Sequence, residues 1–140
     1  MNTYFQDVFD SFLASITSYE FLELNEEELT MELTMLMRKS LAKFITKKNI
    51  KADYDMEEFN RELTDIEIEI IVYGMIVEWL TPRVNSIELL KPSLSSKDYQ
   101  IFSQANMLKE LRESKLNAEK SFHYWMGRYN LLDFTKDGGN

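Results

Sequence analysis

Residues 66–80, IEIEIIVYGMIVEWL, constrain this chain more than any other stretch. The alternation through Ile66, Ile68 and Ile70, with the high Ile and Val content, is strand-like. The run is long for a strand, however, and Thr64 followed by Glu67 is the capping box that opens helices. The segment is therefore read as a helix from 65 to about 81. Its middle is apolar nearly all round, which places it at the centre of a bundle. Gly74 permits a close helix crossing there, and Pro82 either stops or kinks the helix.

The neighbouring elements follow from spacing. Phe5, Val8, Phe9, Phe12, Leu13 and Ile16 recur every three or four residues, predicting a helix that begins near Thr3. Asn25 is an N-cap candidate with Glu28 as its capping-box partner, and Glu26, Glu27 and Glu28 suit the positive end of the helix dipole. Leu29, Leu33, Leu36, Met37, Leu41 and Phe44 form the buried stripe of that helix, predicted over 26–47 with Lys47 and Lys48 at its end. Residues 48–63 read as an acidic loop with one helical turn, anchored by Ile50, Tyr54, Met56, Phe59 and Leu63. Ser95 with Asp98 is a third cap signature, and the closing helix is predicted over about 96–128. On it, Tyr99, Phe102, Ala105, Leu108 and Leu111 face the core or a neighbour, while Lys109, Glu110, Arg112 and Glu113 face outward.

The expected fold class is all-α: a compact bundle of about four helices with a long C-terminal helix and an extended C-terminal tail. Residues 1–130 form one helical domain and 131–140 the tail. Four Gly and two Pro in 140 residues leave few obligatory turns, which agrees with long helices.

Candidates for chemistry are few. His123 is the single histidine, and Glu119 four residues before it can share its helix face. Helical di-metal sites use Glu-x-x-His pairs on two helices, and both the spacing and a second histidine are missing here. The bland reading of His123 is a packing surface with Tyr124, Trp125 and Tyr129. The segment DYDMEEFNRELTD imitates the first positions of a calcium loop, but Glu58 stands where the loop needs Gly and Thr64 where it needs Glu. Nucleophile elbows, Gly-rich phosphate loops and His-Glu-x-x-His motifs do not occur in the sequence. Cysteine is absent as well, excluding disulfides and thiolate metal sites. The expectation is a protein that is not an enzyme, with no cofactor and no metal.

The formal net charge of -8 disfavours wrapping around nucleic acid or binding anionic lipid. The opening MNTYFQDVFDSF lacks the basic start and unbroken apolar run of a secretion signal, and IIVYGMIVEWL is too short to span a bilayer. What remains is surface. Charge alternates in sign through Lys109, Glu110, Arg112, Glu113, Lys115, Glu119 and Lys120. This pattern fits a solvated helix and equally fits side-by-side packing of identical subunits. The candidate protein-interface residues are Lys109, Arg112, Tyr124, Trp125, Arg128 and Tyr129. Aromatic residues and Arg are typical interface anchors, although core packing alone accounts for the aromatics equally well.

Three segments together, LTDIEIEIIVYGMIVEWLTPRVN, LLKPSLSSKDYQIFSQANMLKELRE and a closing YWMGRYN, give the chain a pattern that resembles head–tail connector, or neck, proteins of tailed bacteriophages infecting Gram-positive bacteria. The resemblance covers roughly residues 4–130 and carries no catalytic signature. It implies a mostly helical subunit in a homo-oligomeric ring, commonly of twelve copies, under the portal protein. Such a ring extends the DNA channel, lets DNA pass without specific binding, and offers a platform for the next neck or tail-completion protein. It implies assembly in the host cytoplasm and residence in the virion, with no membrane partner. By the same resemblance, the C-terminal segment reaches the portal, with Leu131, Leu132 and Phe134 as candidate docking anchors. The alternative is a small acidic soluble protein that inhibits or regulates a host factor, since aligned carboxylates can mimic DNA.

Overall fold

The computed structural model describes the backbone of residues 1–16, 20–90 and 98–138, and side chains within them except at 20, 22, 87–90, 98–104 and 133–138. Its elements in order are α1 (Phe5–Ser15), a 3₁₀ turn (Glu20–Glu23), α2 (Glu26–Lys43), β1 (Ala52–Asp53), β2 (Glu58–Phe59), α3 (Asp65–Leu90) and α4 (Asp98–Gly138). The fold is an all-α bundle with one small hairpin. α3 is the element on which α1, α2 and α4 all pack, the central place its all-round apolarity assigns it.

α2 opens as its sequence predicts. The Glu28 amide donates to Asn25 Oδ1 at 2.8 Å, and the Asn25 amide donates to Glu28 Oε1 at 3.4 Å. The helix ends at Lys43, short of the expected 47. There Phe44, fully buried, leaves helical geometry while its amide is shared between the carbonyls of Ser40 and Leu41. Burying Phe44 thus turns the chain towards the hairpin.

The hairpin replaces the loop with a helical turn expected over 48–63. Ala52 pairs with Phe59 and Asp53 with Glu58 in antiparallel register. Asp53 Oδ1 accepts from the amides of Asp55 and Met56, both at 3.1 Å, an Asx turn that closes the loop. Glu57 completes the reversal at φ 54°. The N-terminus is sewn onto this hairpin: the Phe59 amide donates to Thr3 O at 2.8 Å and the Phe5 amide to Glu57 O at 2.9 Å. The rings of Phe5 and Phe59 meet edge to face at 5.1 Å, so the hairpin serves as a lid on the core end of α1.

α3 starts with the expected capping box, Glu67 amide to Thr64 Oγ1 at 3.2 Å and Thr64 amide to Glu67 Oε1 at 2.8 Å. It does not stop at 81. The helix continues through Pro82 to Leu90. Pro82 is exposed, so its ring displaces nothing in the core. Side chains beside it engage nearby carbonyls: Thr81 Oγ1 donates to Val77 O at 2.8 Å and Arg83 Nη1 to Trp79 O at 2.6 Å. At Gly74 three helices converge. A Cβ there would lie 2.1 Å from Ser40 Oγ of α2 and 2.9 Å from Phe122 Cε1 of α4, so the close crossing anticipated from the glycine is real.

α4 runs past the expected end near 128. It reaches Gly138, so residues 131–138 continue the helix instead of leaving as an extended tail. The Ser95 cap lies outside the described residues, as do the side chains of Tyr99 and Phe102. Leu108, Ala118, Phe122 and Met126 are buried, Leu111 is half-buried, and Ala105 is exposed.

Candidate functional site

Two features of α4 bear on function: a buried polar lock that holds it to the bundle, and the face it turns outward. The lock centres on Glu67, in the first turn of α3, whose residue is 1% exposed. A carboxylate so deeply placed must be fully satisfied, and its partners come from three parts of the chain. Arg61, just after the hairpin, donates from Nη1 to Oε1 at 2.9 Å and from Nη2 to Oε2 at 2.5 Å. The Thr64 amide takes Oε1, and the Tyr129 hydroxyl of α4 donates to Oε2 at 2.8 Å. Arg61 also reaches the carbonyls of Lys48 at 2.7 Å and Asn49 at 3.2 Å, and the Lys48 amide donates to the Tyr129 oxygen at 3.2 Å. The segment between α2 and the hairpin, the hairpin exit, α3 and α4 therefore meet on one ion pair. Beside it lies a cleft of about 400 Å³ whose walls include Lys48, Ile66 and Leu132.

The electrostatics follow. Burial pushes the Glu67 carboxyl up, but the Arg61 hydrogen bonds, the Thr64 amide and the Tyr129 hydroxyl together hold it below the ordinary carboxylate range. Burial and the bond to Glu67 push Tyr129 up to about 12. Folding thus favours an ionised Glu67 and a protonated Tyr129. The contribution of Glu67 is complete above its unfolded pKa and disappears as pH falls through the lower folded value. The contribution of Tyr129 is complete below the unfolded tyrosine value of about 10 and disappears as pH rises from there through about 12. Urea midpoints measured near neutrality and again at about pH 11 are expected to fall less for Tyr129→Phe than for the parent chain. Equal alkaline losses in both chains would remove Tyr129 from the account.

The sequence candidates separate into two groups. Lys109, Arg112, Tyr124 and Arg128 are exposed on α4, with the Arg128 guanidinium 6.0 Å from the Tyr124 ring centre. Trp125 is half-buried and packs against the core, and Tyr129 is engaged inside the molecule by the lock and by the ring of Phe44 at 5.3 Å. Leu131 and Leu132 are exposed, at 64% and 46%, and the Phe134 side chain lies outside the described residues. His123 is exposed beside Phe122, while Glu119 is ion-paired with Lys115 at 3.7 Å. Among the described residues no three His, Asp or Glu side chains cluster as a metal would require, and no helix is long and apolar enough to cross a membrane. Sequence reasoning missed Arg61 and the burial of Glu67. The Thr64-x-x-Glu67 cap was the available signal, but nothing local shows that the cap's carboxylate also serves an arginine and a tyrosine from elsewhere.

No family model, curated protein or solved structure matches the chain.

Proposed function

We propose that the chain is a structural subunit of a phage neck, forming a ring below the portal that extends the DNA channel and joins head to tail. The observation that carries this reading is α4. It spans 41 residues, and many of its large and charged side chains point outward: Met107, Lys109, Arg112, Leu116, Lys120, Tyr124, Arg128 and Leu131. A helix built only to close a core has no use for Leu116, Tyr124 and Leu131 exposed together on one outward side. The resemblance to connector proteins, with its ring of commonly twelve copies, supplies the assembly that such a helix would serve. An acidic chain suits a channel wall, because cationic walls retain phosphates.

The lock fits this role. It fixes the C-terminal half of α4 at a set angle, and an assembly helix is useful only if its direction is defined. No substrate or cofactor is required, and the partners are other copies, the portal and the next neck or tail-completion protein. The test is mass photometry of purified protein with and without portal, together with mass spectrometry of purified particles. Portal-dependent rings and several copies per particle are expected. Absence from particles and no binding to portal would refute the reading and favour the soluble inhibitor. Deleting residues 131–140 is expected to lower incorporation into particles while leaving the circular dichroism of the remaining helices intact; undiminished incorporation would remove the C-terminal segment from portal docking.

A further inference from the structure

We propose that the outward face of α4 docks on the acidic, methionine-lined groove between α2 and the hairpin of a second copy of this chain, so that each subunit carries one half of the contact on each of two different surfaces. The proposal rests on the ring reading above and names the contact that would build it.

The donor surface is read from α4. Leu116, Lys120, Tyr124 and Gly127 follow at intervals of four, four and three, turned away from the buried Ala118, Phe122 and Met126. Arg128 adjoins Tyr124. From 114 to 132 the sequence holds one carboxylate, Glu119, and that is already paired with Lys115. In a chain of net charge -8, this stretch is locally cationic. Gly127 adds a second clue. A Cβ on it would meet nothing within 4 Å, so no contact among the described residues requires glycine at a site where it costs about 1 kcal/mol against alanine. Close approach by another backbone would require it.

The acceptor surface is the complement. Glu26, Glu27 and Glu57 rim an open groove floored by Met31 and Thr30, with no cation among its lining residues. It runs on past Met35 towards Tyr54, where Arg38 lies over the Tyr54 ring at 4.2 Å, so the acidic part of the groove is the end bounded by Glu26, Glu27 and Glu57. Met31 and Met35 are 67% and 42% exposed on the stripe of α2 that faces away from Leu33 and Met37. Exposed methionines form adaptable apolar contacts. Cationic rim meets acidic rim, and Tyr124 and Leu116 meet Met31 and Met35. Because the two surfaces differ, the contact is heterologous and propagates head to tail, which closes rings when the rotation allows.

The experiment uses charge reversal in the full chain, read as incorporation into portal-containing particles and as ring mass in solution. Lys120→Glu with Arg128→Glu is expected to weaken assembly roughly a hundredfold, and Glu27→Lys with Glu57→Lys likewise, because each opposes like charges across the contact. The chain carrying all four substitutions is expected to regain assembly. Gly127→Leu is expected to block assembly while the monomer's melting temperature holds or rises, which separates lost docking from lost folding. The sequence has no cysteine, so Met31→Cys and Tyr124→Cys placed together also report the contact: a short bismaleimide should give ladders beyond dimer in assembled protein. Normal assembly of both reversed chains would overturn this contact while leaving the neck reading intact. A parent chain that neither forms rings nor enters particles would overturn both.

Discussion

Glu67→Ala is expected to cost the fold about 3 kcal/mol, the lower end of what breaking a buried ion pair costs. The lower end applies because the Arg61 side chain is still 30% exposed and keeps its bonds to the Lys48, Asn49 and Glu62 carbonyls. The loss is not one contact. Alanine removes the acceptors of Arg61, of the Thr64 amide and of the Tyr129 hydroxyl at once, and it deletes half of the capping box of α3. Glu67→Gln keeps the shape and one acceptor oxygen but loses the charge and turns an NH2 towards donors, so it should fall between alanine and the parent. Urea denaturation gives the three free energies, and a cycle with Tyr129→Phe isolates the link to α4. Hydrogen exchange should localise the effect: amides around 126–130 should lose protection in Glu67→Ala more than those of α1. A measured loss below about 1 kcal/mol would mean that the network adds little beyond solvation, as surface pairs do.

Which parts of this molecule were legible in the sequence depends on the range of the interactions that specify them. Asn25 with Glu28, and Thr64 with Glu67, act within one turn, and both caps formed where the spacing placed them. The central position of α3 follows from its apolarity alone, and Gly74 marked the crossing. The ends of helices were less legible because their causes are remote. α2 stops where burying Phe44 outweighs continued helix, and α3 passes Pro82 because that ring lies on an exposed side. The hairpin was missed because half of its edge comes from residues 3–5, far away in sequence, and no alternating pattern announces strands only two residues long. The outward face of α4 was visible as alternating charge and excess aromatics. Whether Tyr124 or Tyr129 turned inward was not, because the two differ only in their position around one helix. The structure places Tyr129 on Glu67 and Tyr124 in the open.

The same substitution is expected to have opposite signs at Gly74 and Gly127. Alanine normally stabilises an exposed helix by about 1 kcal/mol relative to glycine. At Gly127, where a Cβ meets nothing within 4 Å, Gly127→Ala should raise the stability of the monomer by about that amount. At Gly74 the new methyl would stand 2.1 Å from Ser40 Oγ and 2.9 Å from Ser40 Cβ and Phe122 Cε1. The Phe122 ring edge can swing, but Ser40 is fixed: its hydroxyl donates to Ile71 O at 2.7 Å, and the residue is completely buried. Displacing it either parts α2 from α3 or leaves a buried hydroxyl unpaired, at about 1–3 kcal/mol, on top of about 1–3 kcal/mol for overpacking. Gly74→Ala is therefore expected to cost about 3 kcal/mol net, even after its gain in helix propensity. Ser40→Gly removes both nearer atoms, so Gly74→Ala should cost much less in that background, a coupling readable from four melting curves. If Gly74→Ala instead stabilised the chain as Gly127→Ala should, α2, α3 and α4 would not meet at that point. The direction in which the lock at Tyr129 holds α4 would then have lost its second support.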